Sequence, residues 1–206
     1  MPRTWRLTTA RFACTAFTGD GARRWGGRWN PKGRAVVYTA GNLSLAMLEM
    51  LVQDQPLRAR YVAIPAEIPA DLAIRHIRAD ELPADWREPT GRDRLRHIGA
   101  DWLARRETAV LAVPSTVIPS ETNYLLNPAQ ADFERIGIGE PEPLVTDLRL
   151  LGRGGAAERC EGRGPRAEGQ GSPASALGPW PLFPCPDERA AQEEAPRPDR
   201  SEALPH

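Results

Sequence analysis

Three polar segments of this chain combine residue types that could do chemistry. In Gly26-Gly27-Arg28-Trp29-Asn30-Pro31-Lys32-Gly33, three glycines, a proline and two cations fall within eight residues. Glycine lets a backbone approach a bound group closely, and an arginine fork grips a pyrophosphate through paired, charge-assisted hydrogen bonds. A glycine turn carrying a surface arginine is the plainer use of such a segment. The second candidate is Tyr38 with Glu49, for which a core tyrosine and a solvated glutamate are the alternative. The third is Val113-Pro114-Ser115-Thr116 followed by the run from Pro119 to Pro128, with Ser115 at a strand end and Asn123 in a loop, both placed for ligand contact. Taken singly, such residues more often serve turns with their side chains.

These residues need elements to carry them. Arg34 to Ala40 is rich in β-branched and aromatic residues between two glycines and predicts a strand, with Val36, Tyr38 and Ala40 on one face. Asn42 or Ser44 can cap a helix from Leu43 to Gln53. At about 100° per residue, Leu45, Leu48, Leu51 and Val52 form its apolar arc, and Glu49 falls about 40° beyond Leu45, at the border. Tyr61–Ile64, ended by Pro65, and Val110–Val113, ended by Pro114, predict two more strands. Arg92 to Arg105 predicts a helix with Leu95, Ile98, Trp102 and Leu103 approximating an apolar face. Strands and helices intermix without a regular βαβ repeat, so the fold class expected is α+β (mixed α/β), a small mixed sheet with flanking helices. Neither GxGxxG nor GxxxxGK[ST] occurs, which removes the dinucleotide fingerprint and the phosphate loop.

Composition narrows the class of protein. The 206 residues carry 27 basic and 27 acidic side chains, a balance that argues against direct binding of nucleic acid through bulk charge. Lys32 is the single lysine. No run approaches the roughly 18 apolar residues of a membrane span, and the N-terminus lacks the apolar stretch of a signal peptide. Cys14, Cys160 and Cys185 show no CxxC spacing, and His76, His97 and His206 make no ligand pair. A soluble, cytoplasmic protein without metal or membrane partner is expected. After Leu151 the composition changes: the 55 residues from Gly152 to His206 hold 8 glycines and 9 prolines, the signature of a disordered tail. Residues 1–151 are therefore read as the domain and 152–206 as the tail.

Together the segments GGRWNPKG, VYTA, LAMLEML, AVLAVPS, ETNYLLNP and the closing DLRL, in this order from Trp5 to Leu150, resemble the RES domain family. That family, named for Arg, Glu and Ser, supplies toxins of bacterial toxin–antitoxin pairs. The resemblance implies an ADP-ribosyltransferase-like fold, NAD+ as substrate, and a cognate antitoxin with an Xre-like helix-turn-helix domain that blocks the NAD+ pocket. Family members commonly assemble with that antitoxin, which leaves an oligomer open without fixing the oligomeric state. The family pattern falls on Arg28, Tyr38, Glu49, Ser115 and Asn123. Two places depart from it: Gln53 stands where a histidine is usual, and NPAQADF puts Gln130 and Ala131 where His-Pro is usual.

These residue types suit cleavage of an N-glycosidic bond through an oxocarbenium-like transition state. Nicotinamide leaves as a neutral ring, so the site needs negative charge beside the ribose and a clamp on the diphosphate, not a general acid. On that logic Glu49 stabilises the developing cation or holds a ribose hydroxyl, and Arg28, helped by Lys32, holds the pyrophosphate, with Asn30 counted among the residues that bind NAD+. Tyr38 stacks on the nicotinamide or ribose, and Ser115 and Asn123 fix orientation. The competing expectations are transfer of ADP-ribose to a specific protein, and a decayed toxin that survives as an antitoxin-binding module.

Overall fold

The computed structural model describes residues 2–52 and 60–145. The extension from residue 152 onward, Gln53, Cys160, Cys185, His206 and the DLRL segment lie outside these residues. Among the described residues eight strands form one sheet: β1 (Arg3–Thr9), β2 (Val37–Ala40), β3 (Tyr61–Glu67), β4 (Ile74–His76), β5 (Val110–Pro114), β6 (Thr122–Leu126), β7 (Gly137–Ile138) and β8 (Glu142–Pro143). Their order is β4-β5-β6-β2-β1-β3-β7, with β8 also on β3, and only β4–β5 is parallel. Three α-helices flank it: α1 (Asp20–Trp25), α2 (Leu43–Leu51) and α3 (Arg92–Arg105). The class is α+β.

The join at the middle of the sheet is narrow. β1 pairs with β3 through seven residues, Arg3 to Thr9, but meets β2 only at Trp5 opposite Ala40. Beyond that pair Arg6 donates to the Tyr38 carbonyl from a guanidinium nitrogen at 2.9 Å. Helix α2 lies over the join, packing Leu45 and Ala46 against Ala40, Trp5 and Leu7. Cross-strand partners share a face. One face therefore gathers Val37, Val110 and Leu126 with Val62, Ile64 and Ile136. The other gathers Leu111, Val113 and Leu125 with Trp29, Val36, Trp86, Leu95 and Trp102.

Several expectations need correcting. The strand expected over 34–40 begins only at Val37, because the chain from Gly33 to Val36 leads out of the Gly26–Gly33 segment that carries Arg28, the arginine loop. Pro65 does not end β3: it stands opposite Trp5, and its carbonyl accepts from the Gly139 amide. On that side β3 meets only the two-residue strands β7 and β8, so a missing N–H costs little. Asn123 sits on β6 opposite Ala40 and Val113, not in a loop. The apolar arc of α2 is shifted as well. Leu45 is 2% exposed, whereas Leu48 and Val52 are 40% and 55% exposed.

Candidate active site

Asn42 starts α2 by accepting the Leu45 amide at 2.8 Å, and its own amide donates to Glu121 just before β6 at 2.9 Å. This fixes the rotation of the helix. Leu45 and Ala46, about 100° apart, define its buried face, and Glu49 at about 40° falls between them. Glu49 is thus directed into the protein from the middle of the buried face, rather than leaning over its border.

What it meets there comes from β5 and β6. Ser115 Oγ and Asn123 Nδ2 both donate to Glu49 Oε1, each at 2.7 Å. Ser115 is fully buried, and its Oγ accepts the Val117 and Ile118 amides, each at 3.1 Å, so its proton is directed at the carboxylate. Glu49 Oε2 and Asn123 Oδ1 are buried and find no hydrogen-bond partner among the described residues. Two acceptors on bonded side chains suit a ligand that brings hydroxyl donors.

Arg28 comes from the opposite direction. It is only 6% exposed, and its guanidinium donates to the carbonyls of Trp86 and Arg87 at 3.3 and 3.4 Å. Burial lowers its pKa first and the nearby Arg92 cation second, while Glu49, Tyr38 and Glu88 oppose that shift. An arginine stays protonated under such pressure, so a fixed positive charge stands within electrostatic reach of Glu49. Tyr38 lies on the sheet face that α2 covers, as expected, but Glu49 hydrogen-bonds Ser115 and Asn123. The Tyr38 hydroxyl instead donates to Asn30 Oδ1 at 2.6 Å and accepts the Trp29 amide at 3.1 Å. Burial pushes its pKa well above the ordinary tyrosine value, against smaller pulls from the Trp29 amide and the Arg28 and Arg96 cations.

Asn30 is wholly buried, and its amide nitrogen donates to the carbonyls of Ala22, Pro31 and Arg34. Its side chain therefore holds its own loop. Lys32 is exposed, with its ammonium 6.0 Å from the centre of the Trp25 ring. The structure thus joins Glu49, Ser115 and Asn123 by direct contact, brings Arg28 within their field, and gives Asn30 and Tyr38 to the arginine loop. Gln130, at one departure from the family pattern, caps the short 3₁₀ turn Ala131–Arg135 by accepting the Asp132 amide. A cavity of about 210 Å³ lined by His76, Arg78, Ser120 and Glu121 opens nearby and includes none of the predicted residues. Among the described residues no metal-binding cluster forms, and no helix is long and apolar enough to cross a membrane.

Three contributors escaped the reading of the sequence. Arg6, whose pKa burial lowers to about 10, serves the Tyr38 carbonyl. Its signal was a cation enclosed by Trp5 and Leu7 in a strand-like run. Arg96 Nε donates to the Gly27 carbonyl at 3.0 Å, and Gly99 lets α3 touch the Trp29 carbonyl, where a Cβ would collide. Arg92, Arg96 and Gly99 recur at helical spacing along one side of α3, a polar stripe that turns out to face the arginine loop.

Comparison with known proteins gives the family. The RES domain model matches residues 3–147, and the chain belongs to that family. A protein of Yersinia enterocolitica named Toxin Res is 38% identical over 149 residues, spanning 71% of this chain and 97% of the relative. A Sphingobium protein named Prs ADP-ribosylating toxin is 36% identical over 157 residues, spanning 71% and 95%. Among solved structures, a chain of the M. tuberculosis MbcT–MbcA toxin–antitoxin complex superposes with a TM-score of 0.52 over 69% of this chain and 83% of its own. At 18% identity that likeness is one of fold.

Proposed function

We propose that this chain is the toxin of a toxin–antitoxin pair and cleaves the nicotinamide–ribose bond of NAD+. The observation that carries the reading is the Glu49 carboxylate, locked by Ser115 and Asn123 while Oε2 and Asn123 Oδ1 keep acceptor capacity, with the Arg28 cation within electrostatic reach. An acceptor pair suits ribose hydroxyls, and a buried guanidinium suits a diphosphate. The carboxylate is fixed before substrate arrives, so it stabilises the oxocarbenium-like cation without reorganising. The C1′–N bond breaks with its electron pair passing to the pyridinium nitrogen, and nicotinamide departs neutral. Water or inorganic phosphate then adds at C1′ and releases a proton. The names of the relatives support the toxin role. On this reading the chain acts in the cytoplasm, depletes NAD+, arrests growth, and is restrained by an antitoxin of the Xre-like helix-turn-helix type.

The deciding experiment is NAD+ consumption by the purified chain, followed by NMR with and without inorganic phosphate. Rapid release of nicotinamide is expected. Strong dependence on phosphate with ADP-ribose phosphate as product identifies phosphorolysis, and free ADP-ribose identifies hydrolysis. A folded sample that leaves NAD+ intact under both conditions defeats the degradation reading. One relative favours a second outcome, transfer to protein. Labelled NAD+ added to a cell lysate separates the two, since a discrete labelled band appears only with transfer.

A further inference from the structure

We propose that the Tyr38 hydroxyl is a latch on the arginine loop, making Tyr38 a positioning residue that acts through Arg28; this rests on the site of Glu49 and Arg28 being an NAD+ site. The hydroxyl touches the loop on both sides of Arg28. After it, Trp29 donates its amide to Tyr38 Oη at 3.1 Å, and Asn30 Oδ1 accepts the hydroxyl proton at 2.6 Å. Before it, Gly27 lies so close that a Cβ would run into Tyr38 Oη and Asn30 Oδ1. Asn30 is a firm anchor because its amide nitrogen already binds the carbonyls of Ala22, Pro31 and Arg34. From the far side α3 closes the clamp, with Arg96 on the Gly27 carbonyl and Gly99 against the Trp29 carbonyl.

The loop is therefore held between the β2 tyrosine and the α3 stripe, and Arg28 projects from its middle. Loss of the hydroxyl strands the Trp29 amide and the Asn30 carbonyl oxygen together. The loop must then relax, and the guanidinium with it. A tyrosine that merely stacks on the nicotinamide end would lose nothing when replaced by phenylalanine, which keeps the ring. The latch predicts a loss at the diphosphate instead.

ADP separates these outcomes, because it carries the diphosphate without the nicotinamide ribose. In the 206-residue chain, Tyr38→Phe is expected to weaken ADP binding about tenfold, the scale of one buried hydrogen bond removed with its partners left in place. In an Arg28→Ala background the same change should add almost nothing, because both act through one contact. Amide hydrogen exchange gives a readout without ligand: Trp29 should exchange faster in Tyr38→Phe, while amides of β5 keep their protection. Equal ADP affinity with unchanged Trp29 protection overturns the latch, as do additive losses in the double variant. If the wild-type chain binds no ADP, the NAD+ reading fails and Trp29 exchange alone decides the latch. Should the variant not fold, the wild type still decides, since a Trp29 amide exchanging like that of an open loop overturns it.

Discussion

Glu49 is held by two donors, and each can be removed separately. Glu49→Gln keeps the shape but replaces the negative charge, and the rate of nicotinamide release should fall on the order of 10²–10³-fold with little change in thermal midpoint. A variant working at the wild-type rate would remove Glu49 from the chemistry. Ser115→Ala is a different perturbation, because Ser115 Oγ also accepts the Val117 and Ile118 amides. Leaving those amides without an acceptor should lower stability by about 1–3 kcal/mol in addition to slowing the reaction. Urea unfolding of the variant tests this. Tyr38 makes a prediction in pH. Its folded pKa is raised, so above the ordinary tyrosine value of about 10 the unfolded chain binds fewer protons than the folded chain. Stability should therefore fall as pH climbs through that range, and less steeply in Tyr38→Phe. Urea midpoints that decline in parallel for the two proteins would contradict the assignment.

At the scale of elements, the narrowest tolerance is where α3 meets the arginine loop. Gly99→Ala places a methyl group against the Trp29 carbonyl, so α3 or the loop must move. Overpacking of this kind costs about 1–3 kcal/mol, and the displaced Arg28 should weaken binding of NAD+ as well. A denaturation midpoint and affinity equal to wild type would show that the contact yields easily. How much of this was legible in the sequence depends on the element. The helices α2 and α3 follow from their periodicity, and β5 from its branched apolar run. Strand β6 was hidden because TNYLL reads like the turn-rich residues around it, and only pairing with both β2 and β5 makes it a strand. The residues of the Glu49 cluster were visible by type and order, yet their contact was not. Glu49 looked peripheral because Leu48 and Val52 suggested the wrong buried arc, whereas the Asn42 cap and the Leu45–Ala46 contact set the true one. In the arginine loop the cation was evident, but the use of Asn30 and Tyr38 to hold it was not, since a side chain's partner is a tertiary fact.

For the whole molecule, the site belongs to residues before 127, and the family match ends at 147. A chain shortened to residues 1–151 should therefore release nicotinamide at the rate of the 206-residue chain. A folded fragment that is inactive would assign the extension a part in catalysis. The same arrangement governs when the protein becomes competent during its own synthesis. Glu49 finds its two donors 66 and 74 residues further along the chain. A nascent or prematurely ended product that stops before Asn123 carries the glutamate, the tyrosine and the arginine loop but cannot assemble the carboxylate cluster. Synthesis of β6 is thus the earliest point at which the carboxylate cluster can form and, on the proposed function, at which the cell making this protein would need its restraint.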